Sequence, residues 1–484
     1  MKHRILFKVI AAGINFFIAF GIGILVPRIL GPILYGEIGY INASVAFVLQ
    51  FSSIASSTAY RYFLSNNRYE PFQINTIYFL FLTCIIVTVM VLVGISIWNV
   101  KLHSTIWNDV SAVSYIYLGM VLSVLLFMQQ RLVEFADCQR HTIISEKIRL
   151  AFRLIFLVLL GVAGLFHWLD VNWYYILFIF SLIAYFGVFL YKVPFHFSRV
   201  PLVECKKIVV DMFRYLKPLI FFSIIATFFS YAGRFVLQRS GGFEQQGYYT
   251  FAFSIAMVFV GILTSIMTIY MNKMTELFSA AKIDEVRTLF LRIIFKVYAV
   301  HAFISLFCLI YAKEIILLLV GGKFIGATGA LQWLSIFSLL HTFGLLSGNL
   351  FFSSGRTKAY GIINSSFMCL GLLCFGCLFL NPGWKLNATM LAAIMALIYG
   401  SRVFVQLFFN IKYLHISKIV FISEFVLVTV TILLPLIIIA YFGLGLIVSA
   451  GLSFSVLLIL NFTFKDYLGL KKMAFGYKKR DTFE

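Results

Sequence analysis

Arg28-Ile-Leu-Gly31-Pro-Ile-Leu-Tyr-Gly36 returns 211 residues later as Arg239-Ser-Gly-Gly242-Phe-Glu-Gln-Gln-Gly247. Both stretches are Arg-x2-Gly-x4-Gly. Each ends one apolar run and opens the next. Runs of about 20 residues at 1.5 Å per helical residue match the ~30 Å hydrocarbon core of a bilayer. A motif repeated in the same context reads as an internal duplication. The offset between the copies is six apolar runs. Six is even, so both halves enter the membrane with the same orientation. The expected fold is all-α and polytopic: two six-helix lobes related by an axis along the membrane normal, a transporter architecture.

Working outward, about fourteen transmembrane helices are expected, at roughly 5–26, 37–62, 75–98, 110–132, 146–166, 172–192, 215–238, 247–270, 291–312, 329–352, 359–380, 387–411, 418–440 and 444–463. Residues 1–200 form the N-terminal lobe and 201–412 the C-terminal lobe. Helices 13 and 14 occupy 413–464, and 465–484 is a basic tail. A short apolar stretch, Ile315–Val320, either extends helix 9 or lies in the interface. The chain is 62% hydrophobic and 12% charged, against roughly 25% charged in soluble domains. The alternation of a transmembrane barrel is absent, which leaves helices. Lys2, His3 and Arg4 precede an apolar run longer than the ~7–15 residues of a signal peptide and without a cleavage site, so the run reads as a retained first helix.

The net charge of +21 would suggest nucleic acid in a soluble protein; here it reads as basic cytoplasmic loops, with no nucleic-acid partner. With the N-terminus inside and alternating helices, the outer set holds Arg28, Lys101, Arg234, Arg239, Lys313, Lys323 and Lys385. The other 32 of the 39 Lys and Arg fall on the inner side. That bias puts both termini in the cytoplasm.

No nucleotide loop, nucleophile elbow or metal cluster is present, and no cofactor is implied. Cys374-Phe-Gly-Cys377 has metal-ligand spacing but lies inside an apolar helix with no second pair. His301 and His341 lie in helices, and Glu424 is the most clearly embedded carboxylate. Nothing resembles an acid/base pair, so an enzyme is not expected. The informative residues are cations at membrane depth: Arg28, Arg61, Arg153, Arg234, Arg239, Lys273 and Arg402. A charge there costs several kcal/mol on insertion scales. Each either snorkels to the headgroups or faces a cavity that holds an anion. Arginine suits phosphate because its planar fork donates two parallel hydrogen bonds. Asn15, Asn42, Gln50, Gln332, Asn349 and Asn364 either line such a lumen or bond between helices.

Six motifs in order then resemble a known family. They are Arg28 to Gly36, Tyr60-Arg61-Tyr62, Tyr231-Ala-Gly-Arg234-Phe-Val-Leu, Gly247-Tyr-Tyr-Thr-Phe-Ala252, Gly322-Lys-Phe324 before Ala330-Leu-Gln332-Trp-Leu, and Gly355-Arg356-Thr-Lys358. Over residues 5–411 the chain resembles the polysaccharide transporters, or O-antigen flippases, of the multidrug/oligosaccharidyl-lipid/polysaccharide exporter superfamily. The resemblance implies a flippase of the bacterial inner membrane. Its substrate would be an undecaprenyl-diphosphate-linked oligosaccharide repeat unit, of O-antigen or capsule type, moved from the cytoplasmic to the periplasmic leaflet by alternating access. It also implies contact with membrane lipids, and a polysaccharide polymerase and chain-length regulator as protein partners. Arg61 stands where the family often has a functional arginine. Gly233 stands where many members have Asp before Arg234, so no ion-coupling role carries over to helix 7. The stretch Met271-Asn-Lys273-Met-Thr lacks the family's usual proline. Helices 13 and 14 are expected to shape a groove for the lipid tail.

Two rival classes are weighed. A multidrug exporter of the same superfamily, whose substrates are often cationic, calls for an acidic cavity, against the excess of arginine here. A membrane-embedded polymerase calls for a large periplasmic loop, which this chain lacks.

Overall fold

The structure, a computed structural model, describes residues 2–53, 59–60, 63–64, 69–107, 110–139, 141–195, 199–381, 383–441, 448, 451–452 and 455. Every regular element among them is helical. The first six are α1 (Lys2–Ser53), α2 (Pro71–Trp98), α3 (Val100–Ile106), α4 (Val113–Cys138), α5 (Thr142–Leu165) and α6 (Val171–Lys192). The next six are α7 (Leu202–Ser279), α8 (Ile283–Ile310), α9 (Ala312–Val320), α10 (Thr328–Ser353), α11 (Thr357–Leu380) and α12 (Ala388–Tyr413); α13 (Lys418–Tyr441) follows. A 3-10 turn, Gly322–Ala327, joins α9 to α10.

The element order itself repeats. A very long helix, a second helix and a short one precede three more helices in each half. The stretch Ile315–Val320 is resolved as part of the short helix α9, the counterpart of α3.

The long helices carry the clearest mark of duplication. α1 has 52 residues and α7 has 78, so straight helices would run roughly 78 and 117 Å, far beyond a ~30 Å core. Each is broken at the first glycine of the shared Arg-x2-Gly-x4-Gly pattern. Gly31 has φ 76°, ψ 176°, and Gly242 has φ 67°, ψ −169°. Only glycine adopts that conformation readily. The sequence reading expects a loop over 27–36. Instead helix runs up to the break and restarts at once, because Pro32 sits in the first turn after it, where a missing N–H costs nothing.

Eleven stretches are long and apolar enough to cross a membrane. Two of them, Ile10–Phe51 and Ile220–Val258, contain the breaks; counted as two passes each, they account for thirteen of the fourteen expected helices. The fourteenth, 444–463, falls almost wholly outside the described residues. Exposed side chains on these helices, such as Phe180, Ile183 and Leu373, suit a lipid environment. Helix starts are fixed locally. Asp170 accepts from the Trp173 N–H (2.7 Å), and Asn387 accepts from the Met390 N–H (2.8 Å).

Two apolar clusters join the second half of α1 with α2, α4 and α6, and the first half of α1 with α5 and α6. Two others join α7 with α9 to α12, and α7, α8, α10, α12 and α13. α1 and α7 pack along one another between these clusters, and their faces bound the cavity described next.

Candidate functional site

A cavity of about 510 Å³ lies between α1 and α7. The second half of α1 supplies Tyr35, Gly39, Asn42, Phe47 and Gln50 to its wall. α7 supplies Tyr231 and Arg234 before the break, and Tyr249, Thr250 and Phe253 after it. α6 adds Tyr174, α10 adds Phe337 and His341, and α12 adds Tyr399. The lining mixes aromatic, amide and hydroxyl groups with aliphatic side chains such as Ile38, Met257 and Met395, and carries one formal charge among the described residues.

That charge is Arg234. Its Nη1 donates to Thr250 Oγ1 (3.2 Å), and its guanidinium carbon lies 5.2 Å from the Tyr249 ring centre and 5.8 Å from that of Phe253. Ring faces attract a cation. The Arg234 carbonyl also accepts from Gln246 Nε2, which ties the two arms of α7 together. Gly39 makes room for this arrangement: a Cβ there would meet Thr250 Oγ1 at 2.6 Å. Across the cavity Phe47 stacks on Tyr231 at 4.6 Å, and the Tyr231 hydroxyl shares a hydrogen bond with Ser44 (3.1 Å). Asn42 Oδ1 is buried without a partner on the same wall. The arrangement can hold an anion at Arg234 and stack flat, polar rings on tyrosine faces.

The other sequence candidates are dispersed. Arg28 is exposed. Arg239 is exposed and lies over Phe235 (5.9 Å) and Phe379 (5.8 Å). Lys273 is exposed and pairs with Glu276 at 2.9 Å. None of these three lines the cavity. Arg153, half-buried on α5, donates to Asn15 Oδ1 (3.4 Å) one turn beyond the Glu146–Arg149 pair. Arg402 is buried on α12 behind Tyr399, whose ring centre is 4.3 Å away. Arg61 lies outside the described residues.

The amides divide in the same way. Asn42 and Gln50 line the cavity. Gln332 bonds the Leu309 carbonyl (3.1 Å), Asn349 lies against Met267 Sδ (3.5 Å), and Asn364 accepts from Gln406 (3.2 Å), all between helices. Gly233 faces α11 and α12: a Cβ would meet Leu391 Cδ1 at 2.7 Å and the Phe375 ring at 2.9 Å, so packing fills the space a carboxylate would need. The cavity aromatics are the residues sequence reasoning missed. Tyr231 and Tyr249 lie inside the motifs that flank Arg234, and that adjacency was the available signal. No group of His, Cys, Asp or Glu among the described residues could hold a metal ion.

No family model matches the chain, and no curated protein matches it by sequence. Solved structures do match its fold. The lipid II flippase MurJ, in an inward closed conformation, superposes with a TM-score of 0.74 at 12% identity, covering 97% of this chain and 100% of that one. An inward-facing multidrug resistance MATE family transporter of the MOP superfamily gives 0.56 at 13% identity, over 85% of this chain and 94% of that one. An outward-facing MATE transporter gives 0.53 at 14% identity, over 85% and 94%. At 12% to 14% identity the likeness speaks for the fold alone: the chain has the all-helical membrane fold that MurJ and the MATE transporters share.

Proposed function

We propose that the protein is a flippase for a lipid-linked oligosaccharide, of the undecaprenyl-diphosphate class that serves O-antigen or capsule synthesis. It carries the headgroup from the cytoplasmic to the outer leaflet of the bacterial inner membrane. The observation that supports this most is the cavity itself: among the described residues its wall has one arginine and no carboxylate, with tyrosine, amide and hydroxyl groups set among apolar side chains. A sugar diphosphate cannot cross ~30 Å of hydrocarbon unaided. A polar cavity that shields the headgroup removes that barrier, while the prenyl chain stays in lipid. MurJ, described as a lipid II flippase, shares the fold over 97% of this chain and 100% of its own.

Residues 1–200 and 201–412 act as two lobes in this proposal, supported by the matched breaks at Gly31 and Gly242 and by the repeated element order. Alternating access then needs two packings of the lobes around one cavity. With the inside negative, an outward-moving anion gains about 2.3 kcal/mol per charge per 100 mV, so no coupled ion is required. A multidrug exporter reading fits less well, since a cationic drug would meet Arg234 with no carboxylate on the cavity wall.

Deleting the gene in its host tests the proposal. Lipid-linked repeat units should accumulate on the cytoplasmic leaflet and the surface polymer should disappear, both restored by the intact gene. Normal polymer in a deletion strain without a second flippase overturns it.

A further inference from the structure

The first turns of α7 precede its crossing stretch, which starts at Ile220. The lysine and arginine bias predicts that they lie on the cytoplasmic side. Positions 203, 206, 207, 210, 213, 214 and 217 recur at three- and four-residue spacing, so they share one helix face. That face carries Val203, Val210 and Phe213 among Lys206, Lys207, Arg214 and Lys217. All seven are exposed, Val203 by 82% and Phe213 by 60%. The opposite face is packed. Ile208 is fully buried, and Leu216 joins the apolar cluster of α1, α2, α4 and α6.

The segment also separates its charges. Tyr69 donates to Asp211 (2.6 Å) and Gln73 to Glu204 (2.8 Å), so both of its carboxylates are used on the side of α2. Arg214 stands 3.7 Å from Asp211 with its side chain 78% exposed, a weak pair. Lys206, Lys207 and Lys217 have no ion pair among the described residues. Three cations around the connection from α7 to α8 are matched instead: Lys273 with Glu276, Lys282 with Glu285 and Arg287 with Asp284. The contacts of Tyr69 and Gln73 also fix the depth. Both lie within a turn of Pro71, where the crossing stretch of α2 begins. The segment therefore lies across the end of α2, at the level where that helix enters the bilayer.

We infer that this face docks on the anionic phospholipid headgroups of the cytoplasmic leaflet. The four cations meet lipid phosphates, and Val203, Val210 and Phe213 sink between the headgroups, as in an interfacial amphipathic helix. Charge selects this occupant. The chain's own basic tail, 465–484, has six Lys and Arg against three Asp and Glu, the same sign as the face. Each cation near an anionic surface strengthens docking by about fivefold. The segment follows directly on the boundary at residue 200, so the leaflet holds the joint between the proposed lobes. The docking surface stands independently of what the cavity carries.

Hydrogen–deuterium exchange of the full-length protein in lipid nanodiscs tests this. One set of discs contains phosphatidylcholine alone, and the other replaces part of it with phosphatidylglycerol. Amides of 203–217 should exchange about tenfold more slowly, or slower still, in the anionic discs, and high salt should shrink the difference. Lys206→Gln, Lys207→Gln, Arg214→Gln and Lys217→Gln combined should exchange at the neutral-lipid rate in both discs. Val210→Glu removes no cation and changes an exposed residue; it should cut the difference severalfold by setting a negative charge against the leaflet. The inference fails if the native protein exchanges equally in the two discs, or if the quadruple variant keeps the difference. It also fails if native membranes protect the segment and anionic discs do not, since a protein would then cover the face.

Discussion

Gly36 of α1 lies against the main chain of Phe243 in α7: a Cβ on Gly36 would stand 1.8 Å from the Phe243 carbonyl oxygen. The relation is reciprocal. A Cβ on Gly247 would stand 1.9 Å from the carbonyl oxygen of Pro32. Gly247 and Phe243 are the counterparts of Gly36 and Pro32 in the repeated motif. Each repeat thus presses its last glycine on the first residue after the other's break, as a two-fold axis between them demands. No side chain larger than hydrogen fits. On the orientation that the lysine and arginine bias predicts, this backbone contact lies toward the outer side of the membrane, where it is expected to hold the two long helices together.

Gly36→Ala and Gly247→Ala should therefore hold the outer end apart. Overpacking typically costs about 1–3 kcal/mol. Placed on one conformation of a two-state cycle, that is roughly a tenfold or greater shift between states. Polymer export per inserted protein should fall by about that factor. A cysteine at Asn42, on the cavity wall, should react faster with an impermeant thiol reagent added outside. Unchanged export and labelling would mean that this contact is not a gate.

Alanine at Gly31 or Gly242 tests a different property of the same motif. Both glycines hold positive φ with extended ψ, and a Cβ meets no atom within 4 Å at either, so the penalty is purely conformational. It should amount to about 1–3 kcal/mol each. The two sites sit in equivalent breaks, so the two losses should be similar in size, read as matched falls in melting temperature. A large difference between them would break the equivalence of the repeats.

The frame of the fold was legible because lipid imposes runs of fixed length and because the breaks need glycine. Gly31 and Gly242 stand out even where the rest of the motif diverges. The helix that runs past Pro27 to the break at Gly31 and restarts at Pro32 was not legible, since proline reads as a breaker and only geometry shows Pro32 in a first turn. Arg234 was legible as a deep cation. Tyr35, Tyr249 and Tyr399 were not, because an aromatic residue in an apolar helix has the same pattern whether it faces lipid or a cavity. Arg239 and Lys273 were candidates alongside Arg234 in sequence. In space a ring face and a carboxylate at the surface satisfy them instead.

Topology provides a direct measurement. The charge bias expects both termini in the cytoplasm, which requires an even number of crossings. Thirteen are accounted for among the described residues, and the sequence expectation assigns the fourteenth to 444–463, outside them. Alkaline phosphatase, active only outside the cytoplasm, should be silent when fused after residue 484 and active when fused near 442. Activity at the C-terminus would remove the last crossing.

Arg234 carries the strongest expectation about substrate. Among the described residues it is the one formal charge on the cavity wall, and its neighbours are two ring faces and a threonine hydroxyl rather than a carboxylate. Its fork is thus free to take a phosphate in two parallel hydrogen bonds. Lysine keeps the charge but loses the fork, so Arg234→Lys should lower export about tenfold, near 1.4 kcal/mol. Arg234→Ala removes the one cation on the cavity wall among the described residues and should cost about a hundredfold or more, since unpairing a buried charge costs roughly 2–5 kcal/mol. Arg61, which stands where the resembled family often has a functional arginine, should show the same order of effects. Protein levels should be unchanged in every variant, because Arg234 forms no ion pair that holds the helices together. Export within twofold of normal in both Arg61→Ala and Arg234→Ala would place the cargo's phosphates elsewhere.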